Sequence, residues 1–380
     1  MENKILKYDF LIVGSGLIGS LLAISLIKKK HKVLVIEKEK ISNKYDDQRT
    51  LAINANSRDF LESIDMWRDL KKEQKDINQI IIKTHYQENE SLIFENNNET
   101  MGSVIFNKDL LAKSHKYLLK KKSLLDKTLV GLEELNKQKI IKIKNKTYNF
   151  EKVIIATGKE IQKKVNPKYF FKGSSGHRAY VGFFYHSFNH NNKAYEYFTK
   201  NGPLAALPAP YKNNTYSTFI YSTKDEISFV ELKNIIKKNF YKTHGKINLS
   251  KDFFSYKISP YLFNSINVFE NLIFLGDCSR SIHPVAGQGW NLGIKDIQGL
   301  NKLIETEGLS SKNFNKLFYY QRKFESSIYF FFTEIINKTY NSNSPITKFF
   351  GKASLKVLKN FNFIREVFVQ QAMGKNKIFD

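Results

Sequence analysis

The chain holds a single cysteine, Cys278, among its 380 residues, so no intramolecular disulfide can form, and a lone thiol suits a reducing compartment. It also lacks any run of about 18 uncharged apolar residues, the length a membrane-crossing helix needs. Only a few residues precede the first apolar stretch, so a charged and apolar leader is not expected. Neither an internal repeat nor a low-complexity linker is present. Acidic residues are scarce beside basic ones, 36 against 61, which leaves a formal charge of +25. Such a surplus suggests nucleic acid. However, the lysines are spread among Asn, Ile, Phe and Tyr, and no RNA- or DNA-binding motif accompanies them. The expectation is therefore no nucleic-acid partner, with a basic surface open to anionic lipid. The runs Lys28 to Lys30 and Lys120 to Lys122 are expected at helix C-terminal ends, where cations favour the helix dipole. A hydrophobic content of 42% suffices for a sizeable core in one or two domains.

What the chain does have is glycine in two distant, patterned places. Near the start, the apolar run from Tyr8 to Val13 enters Gly14-Ser15-Gly16-Leu17-Ile18-Gly19. A helical stretch from Leu17 to Lys29 and a second strand, Lys32 to Glu37, follow. Gly14, Gly16 and Gly19 permit the tight turn and bring a pyrophosphate to the helix N-terminus, while Glu37 stands where a ribose-binding acid is expected. Late in the chain, Leu272 to Leu275 ends at Gly276-Asp277, and Gly287-Gln288-Gly289 opens another helix that carries Asn291. Backbone N–H groups at that helix start favour an anionic ligand edge, and Asp277 suits a ribityl hydroxyl. One dinucleotide fingerprint with a second, remote glycine loop points to FAD, which is long enough to use both.

Five stretches in order resemble the ubiquinone-biosynthesis hydroxylase family of FAD-dependent aromatic monooxygenases. They are the N-terminal fingerprint; Asp47 to Ala52 with Ser57, Leu61 and Trp67; Ala194 to Thr199 with Gly202 to Pro208; the Gly276 to Gly293 loop with Asp296; and Ala372 to Gly374. The resemblance implies FAD as cofactor, NAD(P)H as co-substrate, and O2 and a polyprenylated phenol as substrates. The ring would be hydroxylated through a flavin C4a-hydroperoxide. Arg49, Lys108 and Asn291 join the fingerprint and loop residues as cofactor contacts, and Arg49, His283 and Pro284 become the catalytic candidates. No metal is implied. Three positions depart from the family pattern. Thr157-Gly158 stands where an Asp-Gly is usual, Arg280 replaces a usual His three residues after Asp277, and Lys108 replaces an Arg, which loses the bidentate fork.

Individual residues keep two readings. Arg49 holds the flavin or substrate edge, or makes a surface salt bridge with Asp46 or Asp47. His283 is an acid–base group or packs the loop. Gly202-Pro203 and Leu207-Pro208 shape a substrate pocket or end strands. Tyr195 and Phe198 are read as core, and Cys278 as a small packing residue rather than a nucleophile.

The expected fold is α/β, α+β overall. A Rossmann-like FAD-binding domain (1–75 with 100–175 and 265–310) carries an inserted, mainly antiparallel substrate sheet (76–99 with 176–264) and a C-terminal helical region (311–380). A helix is expected from about Ser57. Another is expected over 107–122, capped by Asn107 and packed through Leu110, Leu111, Leu118 and Leu119. A hairpin over 138–156 should turn at Asn145-Lys146. Further helices are expected over 225–242 and 286–306. Residues 345–380 mix aromatic and aliphatic residues, Phe349, Phe350, Leu355, Leu358, Phe361, Phe363, Ile364, Val367 and Phe368 among them, with cations such as Lys348, Lys352, Lys356, Lys359 and Arg365. That pattern fits peripheral contact with the inner face of the cell membrane from the cytoplasm, or a helix pair packed on the protein or a partner. A complex with other ubiquinone-biosynthesis proteins is a second route to a lipid substrate. Three functional classes stay open: the ring hydroxylase, a related flavoenzyme on another aromatic or lipid, and a non-catalytic FAD-binding scaffold.

Overall fold

The computed structural model describes residues 5–85, 87–96, 99–159, 168–174, 176–283, 288–340, 369–370 and 373–375. In chain order the first elements are β1 (Ile5–Val13), α1 (Leu17–Lys28), β2 (Val33–Ile36), β3 (Thr50–Asn54), α2 (Ala55–Ser63), β4 (Lys75–Ile77), β5 (Gln79–Thr84), β6 (Gln87–Glu95) and β7 (Gly102–Phe106). Next come α3 (Asn107–Lys120), β8 (Leu124–Leu125), α4 (Leu132–Lys137), β9 (Ile140–Ile143), β10 (Lys146–Ile155) and β11 (Tyr169–Lys172). Then follow β12 (His177–His186), β13 (Lys193–Thr199), β14 (Gly202–Pro208), β15 (Tyr216–Thr223), α5 (Phe229–His244) and β16 (Ile247–Ile258). The last are β17 (Tyr261–Phe263), β18 (Leu272–Phe274), β19 (Arg280–Ser281), α6 (Gln288–Glu307) and α7 (Phe314–Tyr340).

The first sheet runs β18-β10-β1-β2-β8, all parallel, with β9 antiparallel on β10. Parallel strands are covered on both faces, and these read accordingly as unbroken buried apolar runs, Phe10 to Val13, Val33 to Ile36 and Leu272 to Phe274. Because β1 lies between β2 and β10, chain direction across the sheet reverses at its C-terminal end, and a crevice forms there. The second sheet, β16-β12-β15-β14-β13-β5-β6, is antiparallel except where β13 meets β5. Helix α5 covers it through Leu232, Ile236 and Phe240, spaced four apart on one stripe and fully buried. Ser228 and Glu231 close a reciprocal capping box at its start. Two three-stranded sheets, β3-β7-β4 and β11-β17-β19, join the larger ones.

Several local expectations shift. Helix α2 begins at Ala55, two residues before Ser57, and is capped by Asn54, whose side chain accepts from Ser57 N at 2.9 Å. Asn107 does not cap α3; it is the first helical residue, and its amide donates to Asp47 instead. Leu119 is 49% exposed, while Leu110, Leu111 and Leu118 are buried. The β9–β10 turn lies at Lys144-Asn145, where Lys144 takes φ 55°, one residue earlier than expected. Tyr195 and Phe198 are buried core residues. The basic amphipathic stretch from 345 to 368 lies outside the described residues. Met373 returns to α2, where its carbonyl accepts from Asn56 N at 3.0 Å. Among the described residues, no helix is long and apolar enough to cross a membrane.

One end of the second sheet buries three imidazoles, His186, His190 and His244, with ring centroids 4.7 Å apart for His186–His244 and 6.2 Å for His186–His190. Burial, then the neighbouring His186, pushes His190 down to about 4 and His244 to about 3. Lys75 opposes a charge on His190 as well. These rings are neutral when folded and take up protons on unfolding, so their contribution is intact above pH 6.5, the ordinary value, and is lost as pH falls through 6.5 toward 4. Urea titrations across that range should show a falling midpoint, and His244→Leu should flatten the slope.

Candidate functional site

The β1–α1 turn needs its glycines for different reasons. Gly14 sits at φ +105°, and a Cβ there would come within 2.6 Å of the Ala156 carbonyl, so the turn packs tightly on the end of β10. At Gly19 a Cβ would collide with the Gly14 carbonyl. Gly16, the N-cap of α1, is the opposite case: nothing lies within 4 Å of its missing Cβ, and no side chain caps the helix. The free N–H groups of α1 therefore face open space.

Glu37 ends the next strand almost fully buried. Its Oε2 accepts from Ser15 N and Ser15 Oγ, both at 2.9 Å, and pairs with Lys44 Nζ at 3.1 Å. Burial raises its pKa, but the Ser15 backbone N–H and the Lys44 charge outweigh that and hold it below the usual carboxylate range. Behind the same turn, His115 of α3 meets the Ser15 carbonyl at 2.7 Å and Tyr45 Oη at 3.1 Å. Burial pushes that imidazole's pKa down, so it braces the turn without charge. The sequence singled out neither Ser15 nor His115.

The second glycine loop is held from below. Gly276, at φ +65°, donates its N–H to Asp296 Oδ2 at 2.9 Å. Asp296, on α6 and 1% exposed, also takes Arg280 at 2.9 Å and Arg322 Nε of α7 at 2.8 Å. Arg322 pairs on with Glu325, and Glu325 with Lys295 at 3.2 Å. Burial alone would raise the Asp296 pKa, yet the two guanidinium groups keep it ionised. The Arg280 departure is thus a buried clamp, not a cleft group. Cys278 is buried behind the loop, its Sγ donating to Ile155 O and Leu275 O at 2.9 and 2.8 Å, and burial pushes its thiol up to about 12. It is a packing residue.

Between the two loops lies a cleft of about 1830 Å3, larger than the roughly 300–1,000 Å3 of an ordinary small-molecule site. Gly14, Gly16, Glu37, Arg49, Gly276, Asp277, His283 and Gly289 all line it. So do Thr157, Gly158 and Lys159, where the usual Asp is absent. Its far wall comes from the second sheet, through Val181 of β12, Ile220 of β15 and Phe254, Tyr256 and Ile258 of β16. Arg49 forks onto Asp47 at 2.8 and 2.7 Å while its side chain stays 52% exposed, so the salt bridge and the cleft position coexist. His283 is 1% exposed and pairs with Glu334 of α7 at 2.8 Å.

Other expected contacts fall elsewhere. The Lys108 ammonium lies 5.4 Å over the Phe106 ring, and the residue is not part of the cleft lining. Asn291 donates to Ala52 O at 3.0 Å and accepts from Asn54 N at 3.2 Å, tying α6 to β3. Gly19 packs the turn. Pro284 and Gly287 lie outside the described residues, as does the side chain of Gln288.

No family model matches the chain. It is similar to the mitochondrial ubiquinone biosynthesis monooxygenase COQ6 of Dictyostelium discoideum, 26% identical over 392 residues, covering 80% of this chain and 77% of that protein. The ubiquinone hydroxylase UbiL of Rhodospirillum rubrum is 23% identical over 404 residues, covering 97% and 90%. Among solved structures, p-nitrophenol 4-monooxygenase PnpA of Pseudomonas putida superposes with a TM-score of 0.75 at 13% identity, over 98% of this chain and 100% of that one. The α/β fold with its added sheet is therefore one that a p-nitrophenol 4-monooxygenase also adopts.

Asp296→Asn would leave Arg280 and Arg322 buried without their shared anion. Breaking such a set should cost about 3–5 kcal/mol, read as a lowered urea midpoint, with the Gly276 loop becoming the first region to exchange amide hydrogens.

Proposed function

We propose that this relative of ubiquinone-biosynthesis hydroxylases binds FAD across the two glycine loops and hydroxylates the aromatic ring of a polyprenylated phenol, using NAD(P)H and O2. The observation that carries the reading is the continuous cleft from Gly16 and Glu37, past Gly276 and Asp277, to the sheet residues Val181, Ile220 and Tyr256. Its length and its two kinds of wall suit a long dinucleotide with an apolar ring beside it.

The residues fit the cofactor. Gly16, Gly158 and Gly289 leave open space where a Cβ would stand, so backbone can approach a ligand at three points. Uncapped N–H groups of α1 would take the pyrophosphate. Glu37, kept ionised, would accept from a ribose hydroxyl, and Asp277, exposed in the cleft, from the ribityl chain. The start of α6 at Gln288-Gly289 would place helix N–H groups against the anionic flavin edge, where losing such a donor typically costs about 3 kcal/mol of barrier. Bound FAD supplies activation of O2 and delivery of one oxygen to an electron-rich ring; the protein's part is to bind, orient and shield. Arg49 stands at the junction of the cofactor and ring regions.

A second reading, an FAD-binding scaffold without turnover, is favoured by Thr157-Gly158, which gives that edge of the cleft no carboxylate. The deciding assay combines two steps. Holoprotein is mixed anaerobically with NADH or NADPH and followed for loss of flavin colour. Lipid extracts of cells lacking the chain are compared by mass spectrometry with extracts after restoration. Bleaching, together with a precursor short of one ring hydroxyl that clears on restoration, supports the hydroxylase. Bound but unbleached flavin supports the scaffold.

Gly16→Val adds side-chain bulk only on the cleft side. The apoprotein should melt at the wild-type temperature while FAD no longer co-purifies, checked by calorimetry and flavin absorbance.

A further inference from the structure

Helix α7 is apolar on two faces, and the protein covers one of them. The inner face buries Phe314, Phe318 and Phe330 against the rest of the fold. The outer face carries Leu317, Tyr320, Phe324, Ile328, Phe331 and Ile335, each between 37 and 66% exposed. Their spacing of three and four residues puts them on one stripe. At 1.5 Å per residue the stripe is about 27 Å long. The exposed ring of Phe170, on β11, extends it sideways. The Lys323 ammonium of α7 lies 3.3 Å over that ring, and the neighbouring Phe171 meets Phe331 with centroids 4.6 Å apart. A helix that is apolar all round is normally buried all round. A continuous exposed apolar surface of this kind marks a docking site.

The charges of α7 are sorted between the two faces. Its carboxylates, Glu325 and Glu334, are both buried, beside Arg322 and His283. Its exposed cations, Lys316 and Lys338, stand toward the two ends of the stripe, with Lys323 partly buried between them. Lys316 lies 3.8 Å from Glu270, which precedes the helix. A second copy of this chain would bring a charge of +25 against its equal, which opposes self-association through a lysine-rimmed patch. An anionic lipid surface suits both properties of the face. Headgroups attract the lysines, and the apolar side chains enter the boundary beneath. Among the described residues no helix is long and apolar enough to cross a bilayer, so α7 would lie along the surface.

We propose that the outer face of α7, with Phe170 beside it, docks on an anionic lipid surface. The stripe belongs to a different element from residues 345–380, where the sequence pattern points to lipid. Its placement has a consequence for the cleft. Glu334, on the inner side of the same helix, stands beside His283, which lines the cleft. The ring end therefore lies about 10 Å, one helix diameter, from the lipid. Arg322 of α7 reaches Asp296, which holds the Gly276 loop, so the docked helix is also the strut of the cofactor side. Docking itself does not depend on the hydroxylase reading. Delivery does: given that reading, a phenol held in the bilayer by its prenyl tail starts within that distance of the ring end.

The test floats the full chain with vesicles of phosphatidylcholine alone and of phosphatidylcholine with phosphatidylglycerol, at low and at high salt. Wild type should rise with the anionic vesicles at low salt and come away as salt screens the lysines. Ile328→Ser with Ile335→Ser should lower the partition coefficient about 20-fold. Lys316→Gln with Lys338→Gln should lower it about 10-fold on anionic vesicles only. These side chains are exposed, so both variants should melt with the wild type. Ile335→Trp should gain an emission that brominated lipid quenches, which locates the stripe in the bilayer. Double variants that float as wild type does overturn the proposal, whether or not Phe361→Ser with Ile364→Ser releases the protein. So does a wild type that ignores anionic vesicles, or one that sediments as a dimer which the isoleucine pair abolishes while leaving flotation intact. FAD uptake and turnover are read separately. Protein that floats but takes up no FAD keeps the docking and sinks the flavoenzyme reading; protein that hydroxylates but never floats does the reverse.

Discussion

The structure turns on one buried carboxylate. Asp296 receives a backbone N–H from Gly276, one guanidinium from its own loop and another from α7. Removing any one group from such a set strands an opposite charge in the interior, which is why buried ion clusters are far costlier to break than they are favourable to make. The consequence is geometric. The late glycine loop, which by itself is a short turn, becomes fixed to α6 on one side and α7 on the other. The cofactor half of the cleft inherits its shape from that anchor, and α7 is thereby placed where Glu334 can reach His283.

The two halves of the cleft are built on different physics. The dinucleotide side uses backbone: open N–H groups at Gly16 and Gly289, with glycines removing the side chains that would block approach. The ring side uses a pleated antiparallel surface, where Val181 of β12, Ile220 of β15 and Phe254, Tyr256 and Ile258 of β16 line the cleft. The sheet itself is stiffened by α5 through Phe240 and its stripe. Thr50 of β3 joins the two sides through its hydroxyl contact with Thr218 of β15 at 3.3 Å, one residue from Arg49.

Much of this was legible because it is local. Gly14, Gly16 and Glu37 belong to one βαβ unit, so their spacing alone brings them together, and the parallel strands announce themselves as unbroken apolar runs. Gly276 and Asp277 read equally well from the turn they occupy. Residues whose role depends on remote partners did not read. Arg280 stands out in sequence only as a departure; its meaning is Arg322 and Asp296, on two other elements. Asn291 lies in the right helix, but helical geometry points it at Ala52 and Asn54. Lys108 keeps a charge that the fold turns onto Phe106. Glu334 and His115 carried no signal, since a carboxylate or an imidazole in an amphipathic helix looks like any other until its neighbours are known.

Cys278 gives the molecule an unplanned instrument. The only sulfhydryl in the chain is sealed behind the late loop, and its thiol is held far from the thiolate that reacts with alkylating reagents. Labelling in the native state must therefore wait for the loop to come away from β10. The rate of modification counts those excursions directly, with no introduced dye or engineered residue, and whatever seats itself in the cleft would register as a slower clock.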